Sequence, residues 1–157
     1  SNDFFWRYLG QDYIDQVIQY KNYARVCCFK GFNKHSFSFN TKADPELFSL
    51  QFDLFERFKK LDIDLYAYVT LTTPSTKNLQ TDIKKFIDRL QHISEFLPLR
   101  TIPLEIQIFT PVKKRLSEKK KRAINYQWDA VRIWKEELNK RFNEDLLKKN
   151  ICDIPLN

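Results

Sequence analysis

Apolar positions along this chain repeat with two different periods, and the period switches several times. Tyr13, Ile14, Val17 and Ile18 are spaced by three and four, which predicts a short helix over 11–21. Residues 25–31 form a short β-prone run closed by Gly31, which predicts a strand buried on both faces. A broad stripe of Leu47, Phe48, Phe52, Phe55 and Phe58 follows and predicts a helix over 45–60. Asp44 suits its N-cap, Pro45 its first position and Glu46 its first turn.

A second strand is expected over 63–71, ending in Thr72-Thr73-Pro74-Ser75. Leu79, Ile83, Phe86, Ile87, Leu90 and Ile93 then keep one face over 78–95 and give the best helical signal in the chain. Alternation of Ile102, Leu104, Ile106 and Ile108 predicts a third strand over 102–109, with Pro103 marking its start or an edge. A last helix is expected over 119–147, with an extended tail from Ile151.

The order is α-β-α-β-α-β-α. Strands separated by whole helices need crossovers, so the sheet is expected to be parallel. The predicted fold class is α/β: a partial (β/α) barrel or a small parallel sheet with covering helices. Three strands are few for such a sheet, which suggests that the rest lies in missing sequence or in another chain. The abrupt aromatic opening at Phe4-Phe5-Trp6 gives the same impression of a cut segment. The 157 residues fit one domain, 1–157, with 117–157 as a C-terminal helical extension.

Composition narrows the chemistry. With only Gly10 and Gly31, no glycine-rich phosphate loop can be built. The net charge of +7 permits contact with nucleic acid, anionic metabolites or acidic partners, but basic and acidic residues interleave as on a solvated helix face. Cys27, Cys28 and Cys152 are odd in number, and adjacent cysteines in a strand point apart. That points to a reducing, cytoplasmic setting and away from a disulfide framework. No apolar run approaches the ~20 residues of a membrane span.

In parallel α/β architectures ligands gather at the carboxyl ends of the strands. Here those ends are Lys30-Gly31-Phe32-Asn33, Thr70-Leu71-Thr72-Thr73 and Thr110-Pro111-Val112-Lys113. Lys30, Thr70 and Thr72 read equally well as ligand contacts and as ordinary loop residues. His35 is placed in the loop after the first strand and His92 on a helix surface. Neither has a signalled carboxylate partner, and no histidine–cysteine cluster has zinc spacing. Glu105, inside an apolar strand, must be exposed or paired, with Arg100 and Arg115 as candidate partners. The basic run 113–122 can meet phosphates. Trp128 and Trp134, six residues apart, look like flank and core of a helix.

Three stretches together resemble the later part of a radical S-adenosylmethionine (radical SAM) enzyme's partial barrel. They are Arg25-Val26-Cys27-Cys28-Phe29-Lys30-Gly31 with Ser36-Phe37 and Asn40-Thr41, then residues 63–72, then residues 97–106. They are similar to the fourth, fifth and sixth strand units, and the likeness covers roughly residues 10 to 116. It implies S-adenosylmethionine and a four-iron cluster in the full-length parent, held by a cysteine triplet that this chain does not contain. The chain would then be a C-terminal piece or a degenerate relative, inactive alone. It would contribute Lys30, Asn40, Thr70, Thr72 and Glu105 to the cofactor cavity, and a missing N-terminal half or another chain would complete the sheet. The rival is a basic α/β module that binds nucleic acid or a protein without catalysis.

Overall fold

The computed structural model describes residues 4–108 and 116–156. Its helices and strands, in chain order, are α1 (Phe4–Tyr8), α2 (Gln11–Gln19), β1 (Ala24–Phe29), α3 (Lys34–Thr41), α4 (Leu50–Lys59), β2 (Asp64–Thr70), α5 (Leu79–Ile93), β3 (Thr101–Leu104), α6 (Glu118–Arg141) and α7 (Glu144–Lys148). Tight 3₁₀ turns occupy Pro45–Phe48, Leu97–Arg100 and Ile151–Asp153. The strands form one parallel sheet in the order β1-β2-β3, with Cys27 beside Ala67 and Ala67 beside Thr101.

Side-chain alternation gives the sheet two unlike faces. Cys27 and Phe29 of β1 and Leu65, Ala67 and Val69 of β2 point to the helices and are buried. They meet Phe52, Phe55 and Phe58 of α4, Ile83, Phe86 and Leu90 of α5, and Val131 and Trp134 of α6 in one core. Aromatic rings knit it: Phe29 lies 4.9 Å from Phe52 and 5.5 Å from Phe86, and Phe86 lies 6.2 Å from Trp134. Such pairs add about 0.5–1.5 kcal/mol each beyond their buried area.

The opposite face carries Val26, Cys28, Tyr66, Tyr68, Ile102 and Leu104, paired across the sheet as Val26–Tyr66, Cys28–Tyr68–Ile102 and Thr70–Leu104. Val26 is 44 % and Ile102 40 % exposed. β1 is therefore not buried on both faces, as its β-prone run predicts. The run is apolar throughout, so its period is hidden, and only one side meets helices.

Other departures have local causes. The expected 45–60 helix is a 3₁₀ turn followed by α4, joined at Ser49. α3 occupies a stretch read as loop, because Asn33 caps it: Asn33 Oδ1 accepts from the Ser36 N–H at 2.7 Å. β3 stops at Leu104, and beyond it the Gln127 amide of α6 meets Ile106, accepting from its N–H at 2.9 Å and donating to its C=O at 2.5 Å. A side chain there does what a neighbouring strand would do. The last helix breaks at Phe142, where Asn143 caps α7. The tail turns at Ile151–Asp153 before extending. Phe109, Thr110 and the basic residues 113–115 lie outside the described residues. Among the described residues, no helix is long and apolar enough to cross a membrane.

Candidate functional site

The carboxyl ends of β1 and β2 are built around α3. Gly31 lets α3 sit directly on the strand end: a Cβ at that position would lie 2.4 Å from Phe37 N and 2.7 Å from its Cα. Buried Ser36 accepts from the Phe32 N–H at 3.0 Å and the Asn33 N–H at 3.1 Å, so the turn's backbone donors are satisfied. Asn33 Nδ2 reaches Asp82 Oδ2 of α5 at 2.7 Å and fixes this turn to the next unit.

At the other end of α3, Asn40 ties the two strands. Its Nδ2 donates to Lys30 O at 3.0 Å and Thr72 O at 3.1 Å, while its Oδ1 accepts from Thr72 Oγ1 at 2.7 Å. Both amide protons are used. Asn40 and Thr72 thus hold the strand ends in place and leave little for a ligand. Lys30 and Thr70 differ. By the alternation of their strands both belong to the face opposite the helices, with half-buried Cys28 and Tyr68. The Lys30 side chain is exposed and has no ion pair among the described residues. Thr70 is 7 % exposed, and its hydroxyl makes no hydrogen bond among the described residues.

Four of the five residues singled out by sequence, Lys30, Asn40, Thr70 and Thr72, are brought together here. Glu105 is not with them. It follows Leu104, which pairs with Thr70, so its side chain alternates to the helix side. It is half-exposed in a groove of about 400 Å³ with Trp128, Val131 and Lys135, whose Nζ is 4.0 Å away. Arg100, one of its expected partners, ion-pairs with Asp64 instead. The other, Arg115, lies outside the described residues.

His35 is an exposed residue of α3 and not a loop residue. His92 is exposed on α5, as expected. Phe39 was not foreseen: Lys42 of the α3 cap and Lys119 of α6 stand 4.9 and 5.7 Å from its ring. Those contacts bring the basic first turn of α6 to the same end of the sheet. In sequence only Lys42, three residues after Phe39, hints at this.

A metal cluster does not fit these residues. Among the described residues, no group of three His, Cys, Asp or Glu side chains is placed to hold a metal ion. Cys27 is buried on the helix side of β1, Cys28 half-buried on the other side, and Cys152 exposed in the tail. No family model, curated protein or solved structure matches the chain.

Proposed function

We propose that this chain is one flank of a radical SAM-like (β/α) barrel, with the Val26–Tyr68–Ile102 face turned into the barrel's cavity. The supporting observation is the sheet's asymmetry. Parallel sheets are normally covered on both faces, yet here helices pack on one face while Val26 and Ile102 on the other stay 44 % and 40 % exposed. A barrel interior is a setting in which such a face becomes buried without a second helix layer.

In this reading Lys30 and Thr70 are the contacts for S-adenosylmethionine, an ammonium for its carboxylate and a hydroxyl for its ribose or amine. Asn40 and Thr72 fix where those two groups stand. The iron–sulfur cluster belongs to parent sequence outside these residues, since the three thiols here do not converge, and no chemical step is assigned to this chain.

A basic nucleic-acid module is the second reading. It is weakened by the pairing of α6's own charges: Lys121 with Glu118 at 2.7 Å and Arg132 with Glu136 at 2.8 Å. These have the character of a solvated helix face.

The test is a titration of the ¹⁵N-labelled chain with S-adenosylhomocysteine, then with a short single-stranded oligonucleotide. Saturable shifts at Lys30, Gly31, Thr70 and Thr72, removed by Lys30→Ala with the fold retained, are expected. Absence of those shifts at millimolar nucleoside, with oligonucleotide shifts along 118–122 that fall as salt rises, would replace this reading by the second.

A further inference from the structure

The two edges of the sheet are finished differently. The β3 edge is blunted: the strand has four residues, includes Pro103 with no N–H, and gives way to the Gln127 amide pairing with Ile106. The β1 edge has neither the short length nor the proline, and a side-chain amide meets it only at its end. It is six residues long, contains no proline, and pairs only with β2 among the described residues. At its end, the Lys30 N–H is met by Gln51 Oε1 at 2.7 Å. The remaining outward N–H and C=O groups of such an edge are a template for another strand.

Beside that edge lies a cavity of about 330 Å³, walled by Cys28 and Lys30 from the strand side and by Phe37, Leu47, Leu50 and Leu54 from the helices. Leu47 and Leu50 are 47 % and 45 % exposed, an apolar row with no cover. Lys30 is the charged member of the wall and is unpaired among the described residues. The wall therefore asks for three things together: backbone hydrogen bonds, one large apolar side chain and one carboxylate.

We propose that β1 is a docking edge for an extended segment from outside these 157 residues. The segment adds a strand alongside β1, seats an apolar side chain among Leu47, Leu50 and Leu54, and brings an acidic residue to Lys30. Strand addition of this kind takes affinity from main-chain bonds and specificity from side-chain pockets. A second copy of this chain is a poorer occupant. Its own β1, Ala-Arg-Val-Cys-Cys-Phe followed by Lys30, offers no carboxylate and adds to a charge already at +7. The inference keeps the barrel reading and names the edge through which its sheet would be completed, but it gives Lys30 to the segment's carboxylate in place of the S-adenosylmethionine contact.

The probe is a synthetic eight-residue peptide of alternating leucine and threonine with one aspartate, added to the intact chain. Amide shifts and the alkylation rate of Cys28 by iodoacetamide are followed. Expected are saturable shifts over 25–30, severalfold slower Cys28 alkylation, and at least about tenfold weaker binding to Leu50→Glu or to a peptide with lysine for aspartate. Leu50 is half-exposed, so circular dichroism of Leu50→Glu should match the parent. Unchanged Cys28 alkylation, shifts confined to β3, or equal affinity for Leu50→Glu overturns the proposal. If nucleoside shifts at Lys30 and Thr70 persist while the peptide fails, only the edge inference falls. If the peptide binds and the nucleoside does not, only the cofactor reading falls.

Discussion

Asn40 and Thr72, 32 residues apart in the chain, exchange a 2.7 Å hydrogen bond while Asn40 also donates to the Lys30 and Thr72 carbonyls. One amide thereby ties the ends of β1 and β2. Asn40→Ala leaves two carbonyls and a buried hydroxyl short of partners and should cost about 1–3 kcal/mol. Asn40→Asp has nearly the same shape but faces both carbonyls with a carboxylate, so it should be no better than alanine. Thr72→Val removes one bond of the three and should cost least. Urea denaturation midpoints of the three variants check this order.

Gly31 is required for space, not for backbone freedom, since no glycine here has a positive φ. Any Cβ meets the Phe37 backbone at 2.4 Å, and a backbone cannot rotate away as a side chain can. Gly31→Ala should push α3 off the strand end at a cost of about 1–3 kcal/mol, with amide shifts spreading over 31–41. Gly10→Ala is the control: nothing lies within 4 Å of its Cβ position, so its effect should stay within about 0.5 kcal/mol.

How far the sequence foretold this site follows from what each signal is made of. β2 and α5 were legible because their periods are clean: Leu65, Ala67 and Val69 alternate with Tyr66 and Tyr68, and Leu79 to Ile93 keep one face. The parallel order followed from whole helices between strands. Apolar spacing does not reveal α3, because Lys-His-Ser-Phe-Ser-Phe-Asn-Thr is poor in strong helix formers and weakly amphipathic. Its start was nonetheless readable in Asn33 and Ser36, three apart. The strand ends that carry Lys30, Thr70 and Thr72 are legible because Gly31 and the Thr-Thr-Pro turn mark them. What Asn40 does was not readable, because hydrogen bonds to Lys30 and Thr72 are tertiary. Glu105 was placed in the cavity by strand position alone. A single step of alternation, fixed by the Thr70–Leu104 register, sends it to the other side.

Arg100 anchors the tail. Its guanidinium is 4 % exposed, donates from Nε to Leu65 O at 2.8 Å, bonds Ile154 O and Asp64, and lies 4.3 Å from the Tyr66 ring centre. Arg100→Met keeps much of the stem but strands two buried carbonyls, each about 1–3 kcal/mol. The segment 151–156 should then exchange its amides faster and become cleavable, while the amides of α5 stay protected. Equal protection of tail and helix in the variant would show that Ile154, 2 % exposed, holds the tail by packing alone.

Acid should loosen the α5–α6 contact before the rest of the core. Glu137 of α6 is buried, receives Lys140 Nζ at 2.7 Å and Arg141 at 3.5 Å, and Arg141 also reaches Asp88 of α5 at 2.6 Å. The Lys140 hydrogen bond, aided by both cationic charges, holds the Glu137 carboxyl below its ordinary value of 4.5 against the opposing effect of burial. The folded chain therefore binds this proton less readily than the unfolded chain. The sign follows: Glu137 contributes stability that is fully present above pH 4.5 and is lost as pH falls through its lowered folded value. Unfolding free energies measured across that window should slope downward toward acid. Glu137→Gln should flatten the slope and lower stability at pH 7, because the Lys140 and Arg141 charges lose their partner. An unchanged slope in Glu137→Gln would overturn the assignment of the acid sensitivity to Glu137.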